Sequence, residues 1–265
     1  MAMALDSNIV GYNTVTLDKS WTLVGFNFED CGGGSIPLQD AIPFTVGMTK
    51  GSGSTSADTI QIQTASGSYE TYFLHNGEYG PPPPVGPFYD AARDGKWVST
   101  ANLNVPATVS VQTGTAFWYL AQTPDENFQV KVAGQVLLAG QTNITVNLAA
   151  KLIANPYPTD IPLNDGILYT AGMTKGSGST SADNIQVQTA SGSYETYFLH
   201  NGEYGPPPPV GPFYDAARDG KWVSTANLNV PAAQSVVIPA AKSVWYLRRG
   251  ESDFDITITR PFSIN

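Results

Sequence analysis

Gly47-Met48-Thr49-Lys50-Gly51-Ser52-Gly53-Ser54 opens a block that runs to Leu103-Asn104-Val105-Pro106-Ala107. The same block returns 125 residues later, from Gly172 to Ala232, with only Thr59/Asn184 and Ile62/Val187 exchanged. A period this long is a whole domain, unlike the shorter units that stack into solenoids. The likeness extends outward more loosely. Ile36-Pro37-Leu38-Gln39-Asp40 answers Ile161-Pro162-Leu163-Asn164-Asp165, Phe117-Trp118-Tyr119-Leu120 answers Val244-Trp245-Tyr246-Leu247, and Phe128-Gln129-Val130 answers Phe254-Asp255-Ile256. The chain is therefore expected to hold two tandem domains, 1–134 and 135–265, closely coupled because no Pro/Gly/Ser linker separates them.

Inside the block, Ile60 and Ile62 alternate with Gln61 and Gln63, and the turn-forming Ala65-Ser66-Gly67-Ser68 leads into Tyr69 to His75, rich in β-formers. That is a hairpin. Further strands are expected at Ile9 to Leu17, Trp21 to Phe28, Lys96 to Thr100, Val109 to Gln112, Ala116 to Leu120 and Phe128 to Val132. With 26 Gly and 20 Pro, no segment sustains helical spacing over three turns, leaving short helical turns at Leu38 to Ile42 and Asp90 to Asp94. The fold class is all-β: two β-sandwich or jelly-roll-like domains with long loops.

Charge narrows the partners. The net charge is −9, and the basic residues cluster no further than Arg248-Arg249, so nucleic acid and anionic membrane surfaces are not expected partners. No apolar run reaches the roughly 20 residues of a membrane-spanning helix. The single Cys31 has no partner for an internal disulfide. Ala2-Met3-Ala4 has the A-x-A form of a signal-peptidase site, which fits an exported protein, and Asn143-Ile144-Thr145 is the one sequon.

The most unusual segment joins Asn76-Gly77-Glu78-Tyr79-Gly80 through Pro81-Pro82-Pro83-Pro84 to Phe88-Tyr89-Asp90, and recurs at 201–215. Four prolines favour a stiff polyproline II rod. The rod is expected to be a loop between strands that projects its aromatic residues. As a contact loop, its residues would be Tyr79, Phe88, Tyr89, Asp90 and Trp97, with Tyr204, Phe213, Tyr214, Asp215 and Trp222. The same rings beside Glu78 and Asp90 are the parts with which β-sandwich modules stack on sugars.

Catalytic and metal motifs fail. Asp90-Ala91-Ala92-Arg93-Asp94-Gly95 has the acids and glycine of a calcium loop at its first, fifth and sixth positions, but Ala92 and Ala101 stand where ligands are needed. The expected alternative is an Asp-Gly turn pairing Asp94 with Lys96 or Arg93. Glu78 with Asp90 or Asp94 is a generic acid-base pair, His75 and His200 lack a nucleophile, and Gly51-Ser52-Gly53-Ser54 lacks the lysine of a phosphate loop. No catalytic residue, metal or cofactor is assigned.

Taken together, Ile9 to Leu17, Trp21-Thr22-Leu23-Val24-Gly25 and Phe117-Trp118-Tyr119 resemble exported bacterial proteins built from β-rich domains with a W-x-L-V-G strand and a late F-W strand. The resemblance implies an extracellular location and carries no activity. Near-identity through turns and charged loops exceeds what core packing selects, so either the duplication is recent or both copies present the same outer surface. A surface presented twice suits assembly of the chain with itself into a fibre or surface layer. The strand-forming ends, Ser7 to Leu17 and Asp255 to Ile264, are expected to pair with a neighbouring molecule by strand addition, since few lysines guard them. The alternative function is a bivalent carbohydrate-binding protein.

Overall fold

The computed structural model describes residues 9–17, 21–79, 88–122, 128–189, 191–204 and 213–263. The tetraproline segments, for which a stiff rod was expected, lie outside them. In the first half, a five-stranded antiparallel sheet runs in the order Thr22–Gly25, Ala116–Leu120, Thr59–Gln63, Tyr69–Leu74, Trp97–Ser99. A second sheet, Val10–Thr16, Gln129–Val136 and Phe28–Glu29, faces it. Period-two alternation sends Phe117 and Tyr119 from the first sheet and Val130 and Val132 from the second into one core, joined by Val15, Val24 and Phe26. The result is a two-layer β-sandwich. The second half repeats it with Ala150–Ala154, Ser243–Leu247, Asn184–Gln188, Tyr194–Leu199 and Trp222–Ser224, extended by Asn227–Pro231 and faced by Gln141–Val146 on Phe254–Thr259.

The single-turn helix Leu38–Ala41 forms where expected, and Leu163–Gly166 repeats it. Its polar residue has a structural task. Gln39 accepts from the Trp97 N–H at 2.9 Å and donates to the Trp97 carbonyl at 2.7 Å, and Asn164 does the same for Trp222. Asp90–Asp94, expected as a short helical turn, forms successive hydrogen-bonded turns running on to Gly95, and the Asp90 carboxylate accepts from the Ala92 N–H at 2.9 Å.

The end strands pair within the chain along one edge: Val10–Thr16 over its full length with Gln129–Val136, and Phe254–Thr259 with Gln141–Val146. Each stands at the margin of its sheet, so the strand addition expected of Ser7 to Leu17 and Asp255 to Ile264 would use the other edge. Strand Gln129–Val136 continues through Gly134 and Gln135, past the expected boundary, while still pairing with Val10–Thr16 and Phe28–Glu29 of the first half.

The halves meet in a seam of two-fold form. Gln63 donates to the Ala150 carbonyl at 3.1 Å and accepts from the Leu152 N–H at 3.0 Å. Gln188, its counterpart, donates to the Trp21 carbonyl at 3.2 Å and accepts from the Leu23 N–H at 3.1 Å. Each glutamine amide thus caps the edge strand of the opposite half, occupying groups that an exposed edge would offer to another chain. Leu23, Ala116, Leu152 and Ala154 fill the seam, with Trp118 and Trp245 against them at a ring separation of 6.4 Å. Approach is close enough that a methyl on Gly25 would stand 2.4 Å from the Lys242 carbonyl oxygen. Equivalent residues meet each other, as in an isologous dimer fused into one chain.

Candidate functional site

Strand Tyr69–Leu74 starts near the seam and ends at His75, where the chain turns into the short hairpin Glu78–Tyr79 on Phe88–Tyr89. At about 3.3 Å per residue, the hairpin base lies roughly 20 Å along the strand from Tyr69. A polar frame fixes that base. The Gly77 N–H donates to His75 Nδ1 at 2.8 Å, and the Asp90 N–H to the Gly77 carbonyl at 2.8 Å. Gly77 has φ +77°, and a Cβ there would sit 2.7 Å from the Tyr89 ring, so both backbone and space demand glycine.

Arg93 is buried and works as a post. Its Nε donates to Asp90 at 3.0 Å, its Nη1 to the Leu103 carbonyl at 2.6 Å, and its guanidinium lies 4.2 Å from the Tyr79 ring centre. Tyr79 then stacks on Phe88 at 5.7 Å. On the other side, the Tyr89 hydroxyl donates to Asp94 at 2.9 Å, and Lys50 donates to the same carboxylate at 2.7 Å while lying over Phe44. The Lys50 ammonium, with the Tyr89 hydroxyl, holds the Asp94 carboxyl below the usual carboxylate range. Asp94 therefore pairs with Lys50, which corrects the turn pairing expected with Lys96 or Arg93. Burial, reinforced by the Arg93 charge, pushes the His75 imidazole down and keeps it neutral.

The frame repeats closely. His200 Nδ1 accepts from Gly202 at 2.8 Å, Tyr214 donates to Asp219 at 2.9 Å, Lys175 to Asp219 at 2.8 Å, and Arg218 to Asp215 at 2.9 Å. Strand Glu203–Tyr204 pairs with Phe213–Tyr214, so Tyr204 opposes Phe213 as Tyr79 opposes Phe88.

On this frame stands an exposed apolar face. Phe88 and Tyr89 are 54% and 61% exposed, and Phe213 and Tyr214 53% and 60%. Leu103 and Val105, with Leu228 and Val230, are exposed as well, and were not singled out in the sequence although they lie in the repeated block. No family model matches the chain, no curated protein is similar to it, and no solved structure matches it.

Trp97 and Trp222 do not belong to this face. They are 1% and 0% exposed, each donating its indole N–H to a main-chain carbonyl, of Ile42 and Ile167, at 2.7 Å and standing edge-on to Tyr119 and Tyr246. Their place in the contact set is withdrawn: a ring this large, with its one donor satisfied inside, is a core anchor. Nor do the carboxylates converge. Asp90 is taken by Arg93, Asp94 by Lys50 and Tyr89, and Glu78 by Asn76, so each has a separate partner. A sugar on the hairpin would find Trp97 absent and one face of Tyr79 already covered by Arg93.

Proposed function

We propose that the chain is a non-catalytic, bivalent building block that self-associates outside the cell through the two hairpin faces. One observation carries this reading: the same exposed aromatic and aliphatic side chains, Phe88, Tyr89, Leu103 and Val105 with Phe213, Tyr214, Leu228 and Val230, occur once per half on or beside a hydrogen-bonded frame. Large apolar groups held in the open on a rigid frame favour contact with another molecule. The isologous seam closes on itself and uses up one pair of equivalent surfaces. The hairpin faces remain, at the strand ends remote from the seam, and a block with two like faces propagates when each docks on its counterpart in the next molecule.

Sedimentation velocity over a concentration series tests it. The chain should form species larger than its 28.2 kDa monomer as concentration rises, and Phe88→Asp with Phe213→Asp should return it to the monomer. A monomer at all concentrations, or assembly unchanged in the double variant, defeats the reading.

A further inference from the structure

The seam carries a second aromatic assembly that the hairpins do not use. Registered pairing places Trp118, Gln61 and Thr71 side by side across three strands, with Gln63 and Tyr69 in the next row but one. All five lie on the sheet face turned away from the core, since residues directly opposite share a face. Trp245, Gln186, Thr196, Gln188 and Tyr194 repeat the arrangement. Burial pushes the Tyr69 and Tyr194 hydroxyls above the ordinary tyrosine value, with the neighbouring Trp118 and Trp245 indoles opposing the shift. With Trp118 and Trp245 at 6.4 Å, four rings form one continuous cluster across the two-fold seam.

The cluster is not fully covered. Tyr69 and Tyr194 are each 38% exposed, and Trp118 and Trp245 are only partly buried. Packing against the seam covers one side of the two indoles and leaves the tyrosine rings partly open to water. The surrounding side chains are amides and hydroxyls: Gln61 donates to Thr71 at 3.4 Å and Gln186 to Thr196 at 3.5 Å. None of these ten residues is charged, in a chain of net charge −9.

We infer that this seam platform binds a neutral polysaccharide. The C–H faces of pyranose rings stack on exposed Trp and Tyr, and their hydroxyls bond to amides and hydroxyls beside the rings. The absence of charge selects against uronic or sulfated polymers and against cationic ligands.

Affinity electrophoresis of the full chain tests this in gels containing mixed-linkage β-glucan, galactomannan or dextran, with polygalacturonate as the anionic comparison. At least one neutral polymer should retard the chain and quench its indole emission. Retardation should weaken about tenfold or more in Tyr69→Ala with Tyr194→Ala and persist in Val46→Ser, a change at an exposed site away from the platform. Failure of all three neutral polymers to retard the chain or alter its emission overturns the inference. So does retardation by polygalacturonate alone, or equal retardation of the double alanine variant. These outcomes are independent of the hairpin faces, so self-association stands or falls separately.

Discussion

The two halves offer a comparison that the protein makes with itself. Where the block is identical the geometry repeats, down to the 2.8 Å bonds from Gly77 to His75 and from Gly202 to His200. Of the two exchanges inside the block, one is buried and the other partly buried. Thr59 donates its hydroxyl to the carbonyls of Ser54 and Ala57, and Asn184 donates its amide to the equivalent Ser179 and Ala182. Ile62 and Val187 both pack against their own cores. The hairpin face and its frame carry no exchange at all. A buried site tolerates a substitute that restores volume and hydrogen bonds, and unchanged exposed loops are what the proposed docking faces require.

The largest effect that tests this equivalence is in the cores. Trp97→Ala and Trp222→Ala should each cost about 3–5 kcal/mol, because each leaves a large cavity and strips the donor from a buried carbonyl. Chemical denaturation should show the two variants weakened alike. A variant of near wild-type stability would return that tryptophan to the exposed set.

Next come the seam glutamines. Gln63→Ala uncovers a donor and an acceptor on the second half, and Gln188→Ala the same on the first, at about 1–3 kcal/mol each. Since each amide serves the opposite half, either variant should also lower the cooperativity between halves, seen in calorimetry as a split or broadened transition. A loss confined to the mutated half would mean that the seam does not couple them.

This difference between core and seam also marks what the sequence disclosed. Alternation at Ile60 to Gln63 gave the hairpin and told which residues face inward. It said only that Gln63 faces away from the core, not that another sheet stands there to receive it. Trp97–Ser99 is three residues long and covered on both sides, with Trp97 in the core and Val98 against Ala57 and Phe73. The strand expected over Lys96 to Thr100 is there, but with no exposed side there is no period to tell which residue faces inward, and the tryptophan was placed in the contact set. The partners of the end strands were equally hidden, because pairing Val10 with Gln135 depends on contacts far apart in sequence. The repeated hairpin was visible as a pattern, but its buried Arg93 post was not, since a charged residue on a turn ordinarily faces water.

A smaller effect isolates the first exchange. Asn184 Oδ1 is buried with no hydrogen-bond partner, whereas a threonine there needs only its one donor. Asn184→Thr should stabilise the chain by about 1 kcal/mol and Thr59→Asn should destabilise it by a similar amount, read as opposite shifts in denaturation midpoint. Shifts of the same sign in both variants would show that the orphaned oxygen is not what separates the sites.

The smallest effect is one in which the halves should not differ. His75 and His200 are pushed below the ordinary histidine value, first by burial and then by Arg93 and Arg218, with Asp90, Asp94, Asp215 and Asp219 opposing. Each accepts a backbone N–H at Nδ1, so a proton there would set donor against donor. Between the folded value and the usual 6.5, the unfolded chain binds more protons. The stability these residues contribute is thus complete above about pH 6.5 and is lost as pH falls through that window. The Tm should decline modestly from pH 7.5 to 5.5, approximate settings chosen to bracket the histidine range. Asp94 and Asp219, held below the ordinary carboxylate value, stay ionised there and do not contribute to the decline. Replacing both histidines by asparagine keeps an acceptor near the Nδ1 position but removes the titration, so the decline should flatten. One asparagine in either half should remove about half of it, and unequal halves would show that the two hairpin frames, alike in geometry, are not alike in electrostatics.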